Sequence, residues 1–194
     1  GAVAIVGGSG IDAAYNSASA AAVPIRTAGA GSGGDAAGDT LANIEKIIGS
    51  AFADRFEGNA SDEDFTGGSG DDLFIVSAGA DIYRGGTGVD RVDYSTSLTS
   101  NMKIYMDSSF GTGGDAAGDR LFEIETVIGS AQDDEITASS LSSTIYGGLG
   151  NDKLYGGIAA DVLDGQGGDD IIASDLGADQ IVGGSGVDTA DYRN

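Results

Sequence analysis

Histidine, cysteine and tryptophan are absent from this sequence, proline occurs once, and 9 bases stand against 31 acids. Each absence closes a class of chemistry. Without His or Cys there is no Ser-His-Asp triad, no thiolate nucleophile, no zinc-protease helix and no Cys/His zinc site. Without cysteine there are no disulfides, which leaves the redox compartment open. No apolar run approaches the ~18 residues that a membrane span needs, and the opening GAVAIVGGSG has neither a basic n-region nor an apolar h-region. A net charge of -22 repels nucleic acid and anionic membranes and attracts cations. The partners expected are therefore cations, with no nucleic acid and no membrane span.

What the chain has in excess is glycine, 35 residues of 194. Aligning the sequence on itself explains them. From 129 to 191 it divides without a gap into seven nine-residue units, and from 49 to 93 into five more. Glycine recurs at the first, second and fourth places, as in GGSGDDLFI and GGLGNDKLY. The sixth place is an acid in all but one unit, Glu63 replacing Asp once and Ser143 standing where the acid is missing. The eighth place is apolar, from Phe56, Phe65, Phe74, Tyr83 and Val92 to Ile136, Ile145, Leu154, Leu163, Ile172, Ile181 and Ala190.

A larger duplication lies above the nonads, since GSGGDAAGDTLANIEKIIGSA from 31 matches GTGGDAAGDRLFEIETVIGSA from 111. The chain thus reads as one solenoid of two related modules: an entry segment 1–48, a nonad block 49–93, an inserted segment 94–128 and a second block 129–194. The second module exceeds the first by 18 residues, two nonads. That excess suits a coil made of two nonads, because a whole extra coil leaves later units on their original sides. The pattern begins and ends within a repeat, as a segment of a longer chain would. LANIEKII has helical spacing of its apolar residues, but carrying the register backwards puts Glu45 and Glu125 in the acid place and Ile47 and Val127 in the apolar place, which predicts strands. NMKIYMD at 101–107 alternates and also predicts a strand.

A nonad is then a tight glycine turn followed by a three-residue strand whose middle residue points inward. One alone cannot bury its apolar face, so nonads must stack in parallel coils. Stacking lines up the acids about one strand spacing apart, ~4.8 Å. Bare, such a row repels itself. Carboxylates and turn carbonyls are hard oxygen ligands that suit Ca²⁺, so the candidate metal ligands are Asp54, Glu63, Asp72, Asp81 and Asp90 in one block and Asp134, Asp152, Asp161, Asp170, Asp179 and Asp188 in the other. Asp12, in the isolated GGSGID from Gly7, joins them. Ser143 predicts a weak or empty position. Asp35, Asp39, Asp115 and Asp119 of the duplicated GGDAAGD could be further ligands or turn residues. GAGSGG at 29–34 satisfies GxGxxG, but no convincing strand precedes it and no clear helix follows, so a dinucleotide reading is set aside.

GGSGDDLFI, GGTGVDRVD, GGLGNDKLY and GGSGVDTAD resemble the G-G-x-G-x-D-x-U-x nonapeptide of the RTX calcium-binding family. The resemblance implies an all-β fold, a right-handed parallel β-roll, with several Ca²⁺ ions between stacked turns. It implies that turn carbonyls join the acids as ligands, here those of Gly67, Ser69, Gly85, Thr87, Gly147, Leu149, Gly165, Gly167, Gly183 and Ser185. It further implies export of an unfolded chain by a type I system. Units such as SDLGADQIV, VSAGADIYR and GSAFADRFE depart from the pattern. The function expected is non-enzymatic: a secreted calcium-binding roll that folds on Ca²⁺ and assists export of a larger protein. The alternative is an element of a surface layer, adhesin or extracellular fibre, with neighbouring repeats or copies as partners. The repeats already absorb most of the acids that a two-carboxylate glycosidase would need.

Overall fold

The computed structural model describes residues 3–27, 31 and 37–192; Asp35 and all of GAGSGG except Gly31 lie outside them. The described residues are almost entirely short strands and turns. In chain order the strands are β1 (Ala4–Val6), β2 (Ala13–Tyr15), β3 (Pro24–Arg26), β4 (Thr40–Ala42), β5 (Lys46–Ile48), β6 (Arg55–Glu57) and β7 (Asp64–Ser69). There follow β8 (Leu73–Ile75), β9 (Ile82–Thr87), β10 (Arg91–Asp93), β11 (Lys103–Tyr105), β12 (Arg120–Phe122), β13 (Thr126–Ile128) and β14 (Glu135–Thr137). The last are β15 (Thr144–Leu149), β16 (Lys153–Tyr155), β17 (Val162–Gly167), β18 (Ile171–Ser174), β19 (Gln180–Ser185) and β20 (Thr189–Tyr192). LANIEKII is not helical but is divided between β4 and β5, with Asn43 at φ 55° between them, and NMKIYMD supplies β11.

Within the nonad blocks every strand pairs in parallel with the strand two nonads away. Phe56 sits beside Phe74 and Phe74 beside Val92, while Phe65 sits beside Tyr83. Ile145 sits beside Leu163, and Leu154 beside Ile172. One coil is therefore two nonads, and successive nonads alternate between two faces. One face is an eight-stranded sheet in the order β19-β17-β15-β13-β10-β8-β6-β3. The other is split into two five-stranded sheets, β12-β9-β7-β5-β2 and β11-β14-β16-β18-β20.

The split is made by residues 94–128, which form one enlarged coil. Its β11 founds the second five-stranded sheet on β14, its β12 closes the first on β9, and β13 returns to the eight-stranded sheet beside β10. The same three pairings occur at the start of the molecule, with β3 on β6, β4 on β1 and β5 on β2. The two segments that break the nonad rule are thus two copies of one device. Because the device shifts the chain by a face, duplicated elements sit on opposite sides: β5 lies in a five-stranded sheet and its equivalent β13 in the eight-stranded one.

In the nonad blocks the interior is built from the eighth-place residues of the two faces, and at the enlarged coils Ile25, Ile44, Tyr94, Met102, Ile104 and Ile124 join it. Phe56, Phe65, Phe74, Tyr83, Val92, Ile136, Ile145, Leu154, Leu163 and Ile172 are buried, with Ile47 and Val127 in the same register. Ile181 is only partly buried and Ala190 is exposed, because no coil covers them among the described residues. The first block packs aromatic rings, with Phe56 stacked on Phe74 at 4.8 Å between centroids and Phe65 on Tyr83 at 5.8 Å. The second uses aliphatic chains. In the turns the second and fourth glycines take positive φ, as at Gly148 (113°) and Gly150 (108°). Gln166, in a second place without glycine, is held at φ 68°. In calcium buffer, Phe74→Ala should lower the unfolding free energy by about 3 to 5 kcal/mol in urea titrations. A loss under about 1 kcal/mol would show that the interior is not close-packed.

Candidate metal centre

Each sixth-place residue lies where the glycine turn hands over to the next strand, so the coils stack these residues in two rows, one along each edge of the solenoid. The first row runs Asp54, Asp72, Asp90, Glu125, Ser143, Asp161, Asp179. The second runs Asp12, Glu45, Glu63, Asp81, Asp119 and, past the enlarged coil, Asp134, Asp152, Asp170, Asp188.

In most of these carboxylates one oxygen is committed to the neighbouring coil; those of Glu63 and Asp134 accept only within their own turn. The amide N–H of Asp54 donates to Asp72 Oδ1 at 2.7 Å and that of Asp72 to Asp90 Oδ1 at 2.8 Å. Glu63 donates to Asp81, Asp134 to Asp152, Ser143 to Asp161, Asp152 to Asp170, Asp161 to Asp179 and Asp170 to Asp188 in the same way. The enlarged coils keep the ladder going with acids outside the nonads. Asp12 donates to Glu45 Oε2, Asp90 to Glu125 Oε2 and Asp81 to Asp119 Oδ1. A second, exposed ladder runs the opposite way on fifth-place residues, where Val89 N–H donates to Asp71 and Val187 N–H to Asp169.

The other oxygen separates the turns into two kinds. In the glycine-rich turns GGSGDD, GGTGVD, GGLGND and GQGGDD, the Oδ2 atoms of Asp72, Asp90, Asp152 and Asp170 are buried without a hydrogen-bond partner. A carboxylate oxygen in that state is costly unless something else satisfies it. In several turns that depart from the pattern a local donor does so, although Glu63 Oε1 and Asp134 Oδ1 stay buried without a partner, and in the full GGSGID turn Gly8 N–H reaches Asp12 Oδ2. Ser50 holds Asp54 and Ser130 holds Asp134 through amide and hydroxyl, Gly157 N–H reaches Asp161 Oδ2, and Ser77 and Tyr83 hydroxyls reach Asp81 Oδ2. Asp119, whose role the sequence leaves open, is buried in the same manner, with its Oδ2 accepting the Tyr94 hydroxyl at 3.0 Å. Asp39 accepts Val3 N–H at an exposed position, and Asp115 is a turn residue bonded to Ser97 and Thr99.

The first glycine explains itself at the orphaned oxygens. It does not take a positive φ at Gly67, Gly85, Gly147 or Gly165. What it supplies is room: a Cβ on Gly147 would lie 2.5 Å from Asp152 Oδ2 and 2.9 Å from the carbonyl oxygen of Gly165 in the next coil. At Gly67 and Gly165 a Cβ would likewise meet the carboxylate of its own turn and the carbonyl of Gly85 or Gly183. Carboxylate and glycine carbonyl therefore converge on a space that only hydrogen leaves free. Third-place carbonyls serve the ladders as well, with Thr87 O accepting Gly70 N–H and Ser185 O accepting Gly168 N–H. Ser69, Leu149 and Gly167 pair in register with Thr87, Gly167 and Ser185.

Burial raises the pKa values of these acids, and neighbouring carboxylates push the same way. Asp72 and Asp152 rise to about 7 and Asp90 to about 6, in each case chiefly by desolvation and against the lowering effect of the amide each accepts. Asp119 rises to about 8, chiefly by desolvation, with Asp81 as its charged neighbour. Glu63, Asp81, Asp134 and Asp170 are raised for the same leading reason. Among the described residues no three carboxylates converge, so carbonyl oxygens must complete the shell of any ion held here. An all-oxygen donor set with buried, unsatisfied carboxylate oxygens fits Ca²⁺. A cavity of about 660 Å³ opens beside Phe122, Thr137 and Ile158, and of the acids in the rows only Glu125 lines it.

Comparison with known proteins agrees with this geometry. The family model described as RTX calcium-binding nonapeptide repeat (4 copies) matches residues 39–74, 57–92, 128–163, 137–172 and 155–190, together more than half of the chain. No curated protein matches it.

Carboxyl groups with raised pKa favour the folded chain in their protonated form, and that contribution is lost as pH rises through about 7. In calcium-free buffer the β signal in circular dichroism is thus expected to strengthen as pH falls from about 8 to about 5, and a signal that weakens over this range would contradict burial of bare carboxylates. Gly147→Ala should reduce the calcium bound per chain in a titration, because its methyl fills the space between Asp152 and Gly165. Unchanged stoichiometry would show that the space is not a cation site.

Proposed function

Because the chain belongs to the RTX calcium-binding nonapeptide repeat family, we propose that it is an extracellular, non-catalytic calcium-binding roll that folds when Ca²⁺ reaches it and so stabilises, and assists the export of, a larger secreted protein. The observation that carries this reading is the division of the turns. In four glycine-rich turns the buried Oδ2 of Asp72, Asp90, Asp152 and Asp170 lacks a partner, whereas a protein donor reaches Asp54, Asp81, Asp134 and Asp161; Glu63 Oε1 and Asp134 Oδ1 are buried without a partner as well.

Asp72, Asp90, Asp152 and Asp170, with Asp188 at the last turn, are proposed as the principal ligands, joined by the carbonyls of Gly85, Gly165 and Gly183. Asp12, Asp54, Glu63, Asp81, Asp134, Asp161 and Asp179 extend the rows as weaker positions, those of Asp54, Asp81, Asp134 and Asp161 already held by a local donor. Ser143 contributes no carboxylate. A bound cation would supply the positive charge that lets neighbouring acids remain ionised inside the stack. The protein's part is to hold one carboxylate oxygen on the amide ladder and aim the other at the glycine carbonyl.

Coupling to folding follows from composition. Each glycine costs about 0.5 to 1 kcal/mol relative to alanine in chain entropy, and the interior is small. Each site filled at ten times its dissociation constant contributes ~1.4 kcal/mol, so several sites decide whether the coil forms. Extracellular calcium modules work at dissociation constants of roughly 10⁻⁴ to 10⁻³ M, which would leave the chain unfolded and threadable before export. Circular dichroism in EDTA is expected to show a largely unfolded chain that gains β signal as calcium is added, with heat and signal saturating together. A full β spectrum in EDTA would contradict the proposal.

A further inference from the structure

The turn that follows β12 is cut short. A nonad runs five residues from the end of one strand to the next acid place, but only Glu123 and Ile124 separate Phe122 from Glu125. The entry segment makes the same cut, with Asn43 and Ile44 between Ala42 and Glu45. Glu123 and Asn43 both take positive φ, 54° and 55°, so the two notches share one local backbone. Beside the second notch opens the cavity of about 660 Å³, which reaches from Met106 and Leu121 out to Leu141 and Ile158.

The side chains around the two notches differ in one direction. Thr27 and Met106 are equivalent, since their amides donate to Glu57 O and Thr137 O, and the nonad register matches Ser61 with Leu141 and Ala78 with Ile158. Phe122 stands where the first module has Ala42, and Ser142 and Ser143 stand where it has the acids Asp62 and Glu63. In the first module Asn59 Nδ2 spans the notch to Thr27 Oγ1 at 2.8 Å. In the second, Ser139 turns its hydroxyl to Leu141 O in its own turn. The second notch has thus exchanged acids and a polar strut for apolar walls. Leu141 and Ile158 remain 70% and 65% exposed there, side by side with the apolar cavity, and a joined apolar patch of this kind marks an interaction site.

Two further features say what fits. β12 is the end strand of its sheet and pairs with β9 alone, so its other side offers main-chain groups to an extended segment. Asp107 and Glu123 line the cavity and are exposed. Among the described residues neither has a basic partner: Arg84 is bonded to Asp64, and Arg120 lies against the rings of Phe110 and Phe122, 4.8 and 4.7 Å from their centroids.

We propose that this groove binds an extended basic segment of another protein, which lays its backbone along β12, seats an apolar side chain among Phe122, Leu141 and Ile158, and sets a lysine or arginine beside Asp107 and Glu123. The groove needs the folded roll but none of the proposed calcium ligands.

The test is fluorescence anisotropy of labelled, amidated peptides on the calcium-folded chain, with circular dichroism on the same samples. The peptide Lys-Leu-Lys-Val-Lys-Leu should bind. Two peptides of the same length, one with serine in place of leucine and valine and one with glutamate in place of lysine, should bind about tenfold more weakly or not at all. Leu141→Ser with Ile158→Ala, which gives the second notch the residues of the first, should weaken the basic apolar peptide by about tenfold and leave the β signal unchanged. Equal binding of the lysine-serine peptide, or unchanged affinity in the double variant, would reduce the interaction to net charge and overturn the proposal, as would absence of binding by the basic apolar peptide. A mass by light scattering that grows with concentration in the wild type and not in the double variant would give the groove to a second copy and overturn it as well. Should the double variant fail to fold, the three peptides on the wild type decide.

Discussion

Carboxylates buried one strand spacing apart are the constraint from which the rest of this molecule follows. Acids ~4.8 Å apart in a dry row cannot all ionise, and their raised pKa values register that demand. Two remedies are present in the same chain. One is a protein donor supplied locally, the serine, tyrosine or glycine amide that reaches Asp54, Asp134, Asp81, Asp119 and Asp161. The other is left to something outside the chain at Asp72, Asp90, Asp152 and Asp170, whose buried Oδ2 has no hydrogen-bond partner and which a divalent cation would satisfy. The first glycine keeps the space beside the carboxylate open in both kinds of turn, since a Cβ on Gly49 or Gly129 would also meet the carboxylate of its own turn and the carbonyl of Gly67 or Gly147; what separates them is the local donor.

The enlarged coils show how the solenoid leaves its period without losing either row. Glu125 and Asp119 continue the two ladders across residues 94–128, and Glu45 does so across the entry segment. At the same place two buried tyrosines, Tyr83 and Tyr94, take the carboxylate oxygens of Asp81 and Asp119. The junction between the two modules is thereby held by hydrogen bonds within the protein, while the regular coils on either side carry the unpartnered carboxylate oxygens.

Much of this was legible in the sequence, for physical reasons. A period of nine with an inward residue at the eighth place can be read directly, because a three-residue strand offers one inward position. The acid rows follow from the same count, and the backward register correctly puts Glu45 and Glu125 in the acid place. Asp119 stayed open between ligand and turn residue because it stands outside the nonad spacing and only the fold returns it to the row. Tyr94 escaped for a similar reason: its partner lies 25 residues away across the enlarged coil. Nor does spacing reveal that some aspartates are already held by a neighbouring serine, since that depends on which way a hydroxyl turns within a tight loop. The switch of faces between the modules was also hidden, because residues 94–128 build one strand on each half of the split face.

The most direct test of the central claim is an anomalous difference map from crystals grown in calcium and measured on the long-wavelength side, where calcium scatters anomalously. The account expects strong peaks beside Asp72, Asp90, Asp152 and Asp170, each within reach of a carbonyl of the adjoining coil, that of Glu123 at Asp90 and of a glycine at the other three. Featureless density there, with those carboxylates contacting only water, would contradict it.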